Sequence, residues 1–310
     1  MLGKEMQMVV DKLESKKLTA ILRVQSCVLK EVCDFMHEKK VLQLLPVMIS
    51  PITDPLNHSV MDGEITYYED KLQLTKSMIL HKQLSLLGDR SAIYIVSPNI
   101  RLELKEKSAT GRHLLEFSQV DYELKGKNAS DIMAFTEELL FRIFTRVKKE
   151  CSQELESLGR EFRIPHFPMK VYDSKELEKM LGTEWEKLIS EKSSEPIWVT
   201  NHEREFYDKE DPKRPFSYLN YDMIYPEGFG EGLSGAEREF EYNQILERMK
   251  RKGMSFEPFK HYLQIAREGL IEPSAGAGFG VERMVRFITG QAKISEVAPF
   301  AKVPGEKFVF

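Results

Sequence analysis

Asn99-Ile-Arg-Leu-Glu103, followed after a short interval by Thr110-Gly-Arg-His-Leu-Leu-Glu-Phe-Ser-Gln-Val-Asp-Tyr-Glu123, is the stretch that decides the fold. In its first part Arg101, Glu103 and Lys105 alternate with Ile100, Leu102 and Leu104. Period-two spacing sends charges to one face of a strand and aliphatics to the other. In its second part Phe117, Gln119, Asp121 and Glu123 share a face, while Leu114, Val120, Tyr122 and Leu124 point the opposite way. Lys105 to Arg112, with Ser108, Thr110 and Gly111, reads as a mobile loop between two strands. A sheet face so dense in Arg, Glu, Gln and Asp is either a solvated outer surface or the floor of a binding cleft.

Working outward, residues 4–40 carry apolar positions at helical spacing, including Leu18, Ile21, Val28, Val32, Phe35 and Met36, and form an N-terminal helical segment. Leu42 to Ile49 reads as a short edge or interface strand interrupted by Pro46. A strand from Leu72 runs into a helix over Met78 to Leu87, and Ala92 to Val96 is apolar enough for a central strand. Asn128 or Ser130 caps a long helix from Asp131 to about Leu158. Further strands are expected at Trp198, Tyr221 and Ala275, and helices at 176–181, 234–252, 258–269 and 281–289, the last ended by Gly290. The charged, proline-bearing 201–217 stretch reads as an exposed insertion. Strands with hairpin-like connections and helices in separate blocks predict an α+β fold, a mostly antiparallel sheet flanked by helices. The expected division is residues 1–40 as the helical segment and 41–310 as the main domain.

Composition narrows the chemistry. With 310 residues and 42% hydrophobic content the chain can bury a full core. No apolar run approaches the ~20 residues a membrane-spanning helix needs, which makes the cytoplasm the expected location. Cys27, Cys33 and Cys151 lack metal-ligand spacing and read as reduced thiols. A net charge of −4 offers polyanions no bulk attraction.

Neither G-x-x-x-x-G-K-[ST] nor G-x-G-x-x-G is present, so any ATP site works without a glycine-rich phosphate loop. Gly276-Ala-Gly-Phe-Gly280 reads as a place where a strand and the following helix pack closely, with Arg283 and Arg286 in the first turns of that helix. Glu231, Ser234 and Arg238 are expected at a strand-to-helix turn, as hard oxygen ligands for Mg²⁺ beside a carboxylate clamp, or with Ser234 and Glu237 as a simple capping box.

Together these pieces resemble the catalytic domain of class II aminoacyl-tRNA synthetases of the aspartyl/asparaginyl subgroup, most closely the short archaeal asparagine synthetase-related proteins. Arg101-Leu-Glu103, Gly111-Arg-His113 and Glu116-Phe117 through Asp121 look like motif 2, Gly278-Phe-Gly-Val-Glu-Arg283 through Gly290 looks like motif 3, and residues 35–60 are a weaker motif 1. The resemblance implies an ATP-binding set of Arg101, Glu103, Arg112, His113, Phe117, Glu231 and Arg283. Arg101 and Arg283 would be catalytic, with Arg101 on the α-phosphate, Glu103 on the adenine amino group and His113 on the outer phosphates. Phe117 and Arg283 would sandwich adenine. It implies Mg²⁺ on Glu231 and Ser234. The amino acid's ammonium would meet Gln119, Asp121, Ser77 and Glu64, and its side-chain carboxylate Lys82 and Arg238. Two cations at that point imply aspartate over asparagine.

The implied reaction is ATP-dependent, AMP-forming activation of aspartate followed by amidation with ammonia, in a homodimer joined through residues 35–55. With motif 1 beginning near residue 40, the anticodon-binding domain of the true synthetases is expected to be absent and tRNA is not the favoured partner. Other readings are a truncated tRNA ligase, a ligase using another amine acceptor, and a non-catalytic regulatory paralogue that binds ATP or an amino acid.

Overall fold

The computed structural model describes residues 3–309, so the outer ends of the two expected units, at Met1, Leu2 and Phe310, lie outside the described residues. The chain opens with α1 (Lys4–Leu13) and α2 (Lys16–Glu38), then passes through the short strands β1 (Leu42–Gln43), β2 (Ile49–Ser50) and β3 (Val60–Met61). A hairpin, β4 (Glu64–Tyr67) and β5 (Asp70–Leu74), leads to α3 (Ile79–Ser85). The quoted stretch forms β6 (Ala92–Ile100), β7 (Leu102–Glu103) and β8 (Glu116–Lys125), followed by α4 (Ala129–Glu150) and α5 (Ser152–Ser157). Next come β9 (Lys170–Asp173), α6 (Ser174–Leu181), α7 (Trp185–Lys192), β10 (Ile197–Thr200), β11 (Asn220–Tyr225) and β12 (Gly230–Glu237). The chain closes with α8 (Tyr242–Arg251), α9 (Lys260–Arg267), β13 (Ser274–Gly280) and α10 (Val281–Thr289).

Eight strands form one sheet in the order β1-β6-β8-β13-β12-β11-β10-β9. Only the outermost pairs, β1 with β6 and β9 with β10, are parallel. The sheet is therefore mostly antiparallel, as expected. Its alternating residues explain the layering. Val120 and Tyr122 of β8, Ala275, Ala277 and Phe279 of β13, and Tyr221 and Met223 of β11 are fully buried, in one cluster with α2, α4 and α10. Ile21, Val24, Val28, Val32, Phe35 and Met36 place α2 in this main core, so the N-terminal helical segment is an integral layer of it. α4 starts at an Asn128–Asp131 capping box, and α10 ends at Gly290 in the left-handed conformation. The opposite sheet face is flanked at its ends by α3 and by α6 and α7, leaving its centre open.

Several local expectations need correction. Leu42 to Ile49 is not one strand, because Pro46 cannot donate to a ladder and only two-residue strands survive on either side. The polar-faced first strand breaks at Arg101, whose backbone N–H turns to Leu115 O at 2.8 Å, and the mobile loop is a 3-10 turn over Lys105–Thr110. The long helix is interrupted at Cys151. The expected helix from Ser234 is strand up to Glu237, and Ser234 caps nothing. Residues 201–217 are a solvated insertion only in part: positions 212–216 are exposed as expected, whereas Phe206 packs against Phe259 and Tyr262 and is fully buried.

Candidate active site

Period two in β8 brings Phe117, Gln119, Asp121 and Glu123 to the open sheet face, and β13 makes room for them. A Cβ at Gly276 would meet Glu123 Oε2, and one at Gly278 would meet Asp121 Oδ1 and Gln119 Nε2. The glycines thus clear space for the carboxylates of the neighbouring strand, a different role from close helix packing. The result is a cavity of about 490 Å³ on the sheet. Every site residue expected from the sequence lines it except Glu64. Glu64 sits on β4 in a separate three-stranded sheet, exposed, and pairs with Lys71 at 3.0 Å. The polar face is therefore the floor of a cleft.

At one end, Glu103 Oε1 lies 3.0 Å from His58 Nε2, while its buried Oε2 has no hydrogen-bond partner. Burial acts to raise the Glu103 carboxyl, but His58, His113 and Arg101 leave it below its ordinary value. The Arg101 guanidinium stands 5.1 Å over the Phe117 ring and donates through Nε to Lys76 O at 3.1 Å. Burial, then repulsion from Arg283 and Arg112, pushes the His113 imidazole down to about 3, so it is a neutral group at physiological pH. Arg112 is tethered to Glu186 of α7 at 2.5 Å.

Glu231 and Ser234 are three residues apart on a strand, a spacing that would put them on opposite faces. A β-bulge overrides this. Leu233 pairs with Met223 and Glu231 with Ile224, leaving Gly232 as the extra residue, so both oxygen-bearing side chains face the cavity. Burial alone would raise the Glu231 carboxyl, but Arg283, Arg112, Arg204 and Arg101 hold it down to about 2. Arg283 Nη1 is 3.3 Å from it. A permanently ionised carboxylate beside a hydroxyl suits a hard divalent cation that takes its remaining ligands from phosphate and water. No cluster of three His, Cys, Asp or Glu side chains suited to a metal exists among the described residues.

At the other end, Lys82 is 2% exposed. Its Nζ reaches Asp121 Oδ1 at 2.9 Å and Glu123 Oε2 at 3.7 Å. Arg238 grips Glu123 at 3.1 Å and meets Asp208 only at 3.5 Å. The two cations are thus not uncompensated, and the charge count that implied aspartate over asparagine does not hold. Asn99 Nδ2 donates to Gln119 Oε1 at 2.7 Å, fixing the amide, and Ser77 Oγ accepts from the Ile79 N–H at 3.2 Å at the start of α3.

Sequence reasoning missed His58, Asp54, Glu186, Asp222, Glu282 and the run Arg204, Glu205, Tyr207 and Asp208, all of which line the cavity. Arg204 donates to Asp222 Oδ1 at 2.6 Å and to Ser234 Oγ. The available clue was Phe206-Tyr207, an aromatic pair inside a charged segment that signals burial.

The family of class II tRNA synthetases (D, K and N) matches this sequence over residues 4–304. The chain belongs to that family. It is an AMP-forming ligase of the class II synthetase type. Among curated relatives of this family member, asparagine–tRNA ligase of Thermoplasma acidophilum is 26% identical over 310 residues, covering 94% of this chain and 70% of that protein. Aspartate–tRNA(Asp/Asn) ligase of Methanopyrus kandleri is 29% identical over 304 residues, covering 91% and 67%. The fold matches asparaginyl-tRNA synthetase from Pyrococcus horikoshii complexed with asparaginyl-adenylate at a TM-score of 0.88 and 24% identity, covering 99% of this chain and 74% of that one. The family member thus shares the class II fold across almost its whole length. Among the described residues, no helix is long and apolar enough to cross a membrane.

Proposed function

We propose that this ligase activates aspartate with ATP as an aspartyl-adenylate and passes the β-carboxyl to ammonia, giving asparagine, AMP and pyrophosphate. The observation that carries the reading is the pair Lys82 and Arg238 at one end of a cavity whose other end holds Arg101, His113 and Arg283. Although countercharged, both cations keep donors to spare: Lys82 Nζ has one short partner, and Arg238 Nη1 only a 3.5 Å contact. A substrate carboxylate would take these donors.

In this reading Arg101 leaves the Phe117 ring to meet the α-phosphate, and Phe117 and Arg283 close on adenine. Glu103 Oε2, an acceptor without a donor, suits the adenine amino group. His113 and Arg112 face the outer phosphates, the first as a neutral hydrogen-bonding group. Asp121, whose Oδ2 is likewise unpartnered, and Gln119 hold the ammonium. Glu231 and Ser234 would hold Mg²⁺, which would supply positive charge against the phosphates. Catalysis is positioning plus preorganised charge, with no covalent enzyme intermediate. The apolar, exposed segment Leu42, Leu45, Met48 and Ile49 serves as a homodimer contact, and the cytoplasm is the working location.

A second reading is charging of tRNA with asparagine. The carboxylates already matched to Lys82 and Arg238 favour it, because a neutral amide would leave no charge unpaired there. Mass spectrometry of the protein with aspartate, ATP, Mg²⁺ and ammonium, with and without total tRNA, separates them. Asparagine and AMP without tRNA support amidation. An aminoacyl-tRNA product, or activation of asparagine but not aspartate, overturns it.

A further inference from the structure

Two polar side chains of β6 have no place in the reaction described so far. Ser97 and Asn99 lie on the face of the strand that also carries Ile93 and Ile95, and all four are fully buried. Burying a hydroxyl and a carboxamide in such a layer costs free energy unless both are hydrogen-bonded. Their bonds run in one direction, toward the cavity. Ser97 Oγ donates to Asn99 Oδ1 at 2.8 Å, and Asn99 Nδ2 donates to Gln119 Oε1 at 2.7 Å. Strand register makes this relay possible: Ser97 stands opposite Gln119 and Asn99 opposite Phe117 on β8, so Asn99 reaches Gln119 across the diagonal.

A carboxamide has a donor end and an acceptor end. With Oε1 turned to Asn99, the donor Nε2 lies over Gly278, where an added Cβ would meet both Nε2 and Asp121 Oδ1. Gln119, Asp121 and Gly278 all line the cavity. The relay therefore decides which end of Gln119 a ligand meets beside Asp121. In an amino acid the ammonium and the α-carboxyl share one carbon, so a donor next to the carboxylate assigned to the ammonium meets an α-carboxyl oxygen. The reversed amide would set oxygen against oxygen there.

We propose that Asn99, braced by Ser97, is a positioning residue for the amino acid: it holds Gln119 with Nε2 toward the ligand, where it donates to the α-carboxyl oxygen beside the ammonium. The second lone pair of Oε1 remains for the ammonium itself. The inference rests on the reading that the cavity activates an amino acid, and it applies to aspartate and asparagine alike.

Asn99→Asp reverses the relay. An ionised carboxylate at this position only accepts, from the Ser97 hydroxyl and from Gln119 Nε2, so the amide turns its oxygen to the ligand. Pyrophosphate exchange with aspartate and with asparagine, at about pH 8 to keep the new carboxyl ionised, reads the consequence. The KM for the amino acid that supports exchange rises about tenfold, the scale of one hydrogen bond to a charged group, while the KM for ATP stays within about twofold. In a Gln119→Met background, which has no amide to turn, Asn99→Asp changes the amino-acid KM by less than about twofold. A change below about threefold in Asn99→Asp, an equal rise in both KM values, or a full effect that persists in the Gln119→Met background overturns the proposal. Should Asn99→Asp not fold, Ser97→Ala, which frees Asn99 to rotate, raises the amino-acid KM about threefold more than the ATP KM, and equal changes overturn it. A wild-type protein that exchanges with neither amino acid defeats the activation reading itself, a result distinct from an exchanging enzyme indifferent to Asn99.

Discussion

Arg101 shows how one residue's position determines its chemistry. It sits where β6 has ended and β7 has not begun, its guanidinium over the Phe117 ring in the cavity and its Nε bonded to Lys76 O. Arg101→Ala should lower aspartate-dependent pyrophosphate exchange at least a hundredfold, the scale on which single charge-stabilising donors act, with an unchanged circular dichroism spectrum. Full exchange would remove Arg101 from the reaction. Glu282 gives a residue-scale prediction about pH. Its carboxylate accepts the Ser118 N–H at 3.0 Å, yet burial pushes its pKa from 4.5 up to about 7, with Glu116 adding in the same direction. Between those values the unfolded chain ionises while the folded protein keeps the proton, so stability falls as pH rises from about 4.5 to 7. Glu282→Gln removes that part of the decline, visible as a smaller drop in Tm across this window. An identical pH profile would refute the buried-acid account.

Among the elements, β12 departs furthest from simple alternation. Its bulge at Gly232 rotates Glu231 onto the face of Ser234, and that rotation is what makes a two-oxygen cation site conceivable. The bulge needs glycine because the Tyr225 ring, 1% exposed and stacked on Phe287 at 4.2 Å, occupies the space of a Cβ. Gly232→Ala should destabilise the fold by about 1–3 kcal/mol through overpacking and raise the Mg²⁺ concentration that half-saturates exchange. Denaturant unfolding and a Mg²⁺ titration measure the two effects, and a variant unchanged in both would discount the bulge. The period-two pattern of β8 was readable because every second residue changes character. The bulge was not, because the residue that breaks register is defined by its partner strand.

For the whole molecule, the remaining exposed apolar segment is a statement about assembly. Leu45 is 87% exposed beside Leu42, Met48 and Ile49, and the outer sheet edge at β1 has no strand beside it among the described residues. Sedimentation should therefore give twice the 36.0 kDa chain mass. Leu45→Lys should shift the equilibrium toward monomer without altering the Tm by more than a few degrees. A monomeric wild-type protein at micromolar concentration would exclude this interface. The segment 201–217 belongs to the same scale, because Arg204, Glu205 and Asp208 line the cavity beside Phe206, which docks on Phe259 and Tyr262 from a distant part of the chain.

What the sequence determined by itself was the α+β class, the polar face of β8, the limits of α10 and most residues that line the Arg101, Glu103 and His113 end of the cavity. Each follows from periodicity or from a motif that is local along the chain. Tertiary structure alone decided that Glu64 stands apart, that Lys82 and Arg238 arrive already paired, that Glu231 and Ser234 share a face, and that Arg204, Glu205 and Asp208 belong to the site. Charge compensation and strand register depend on which side chains meet across the sheet, and such meetings are set by packing between segments far apart in sequence.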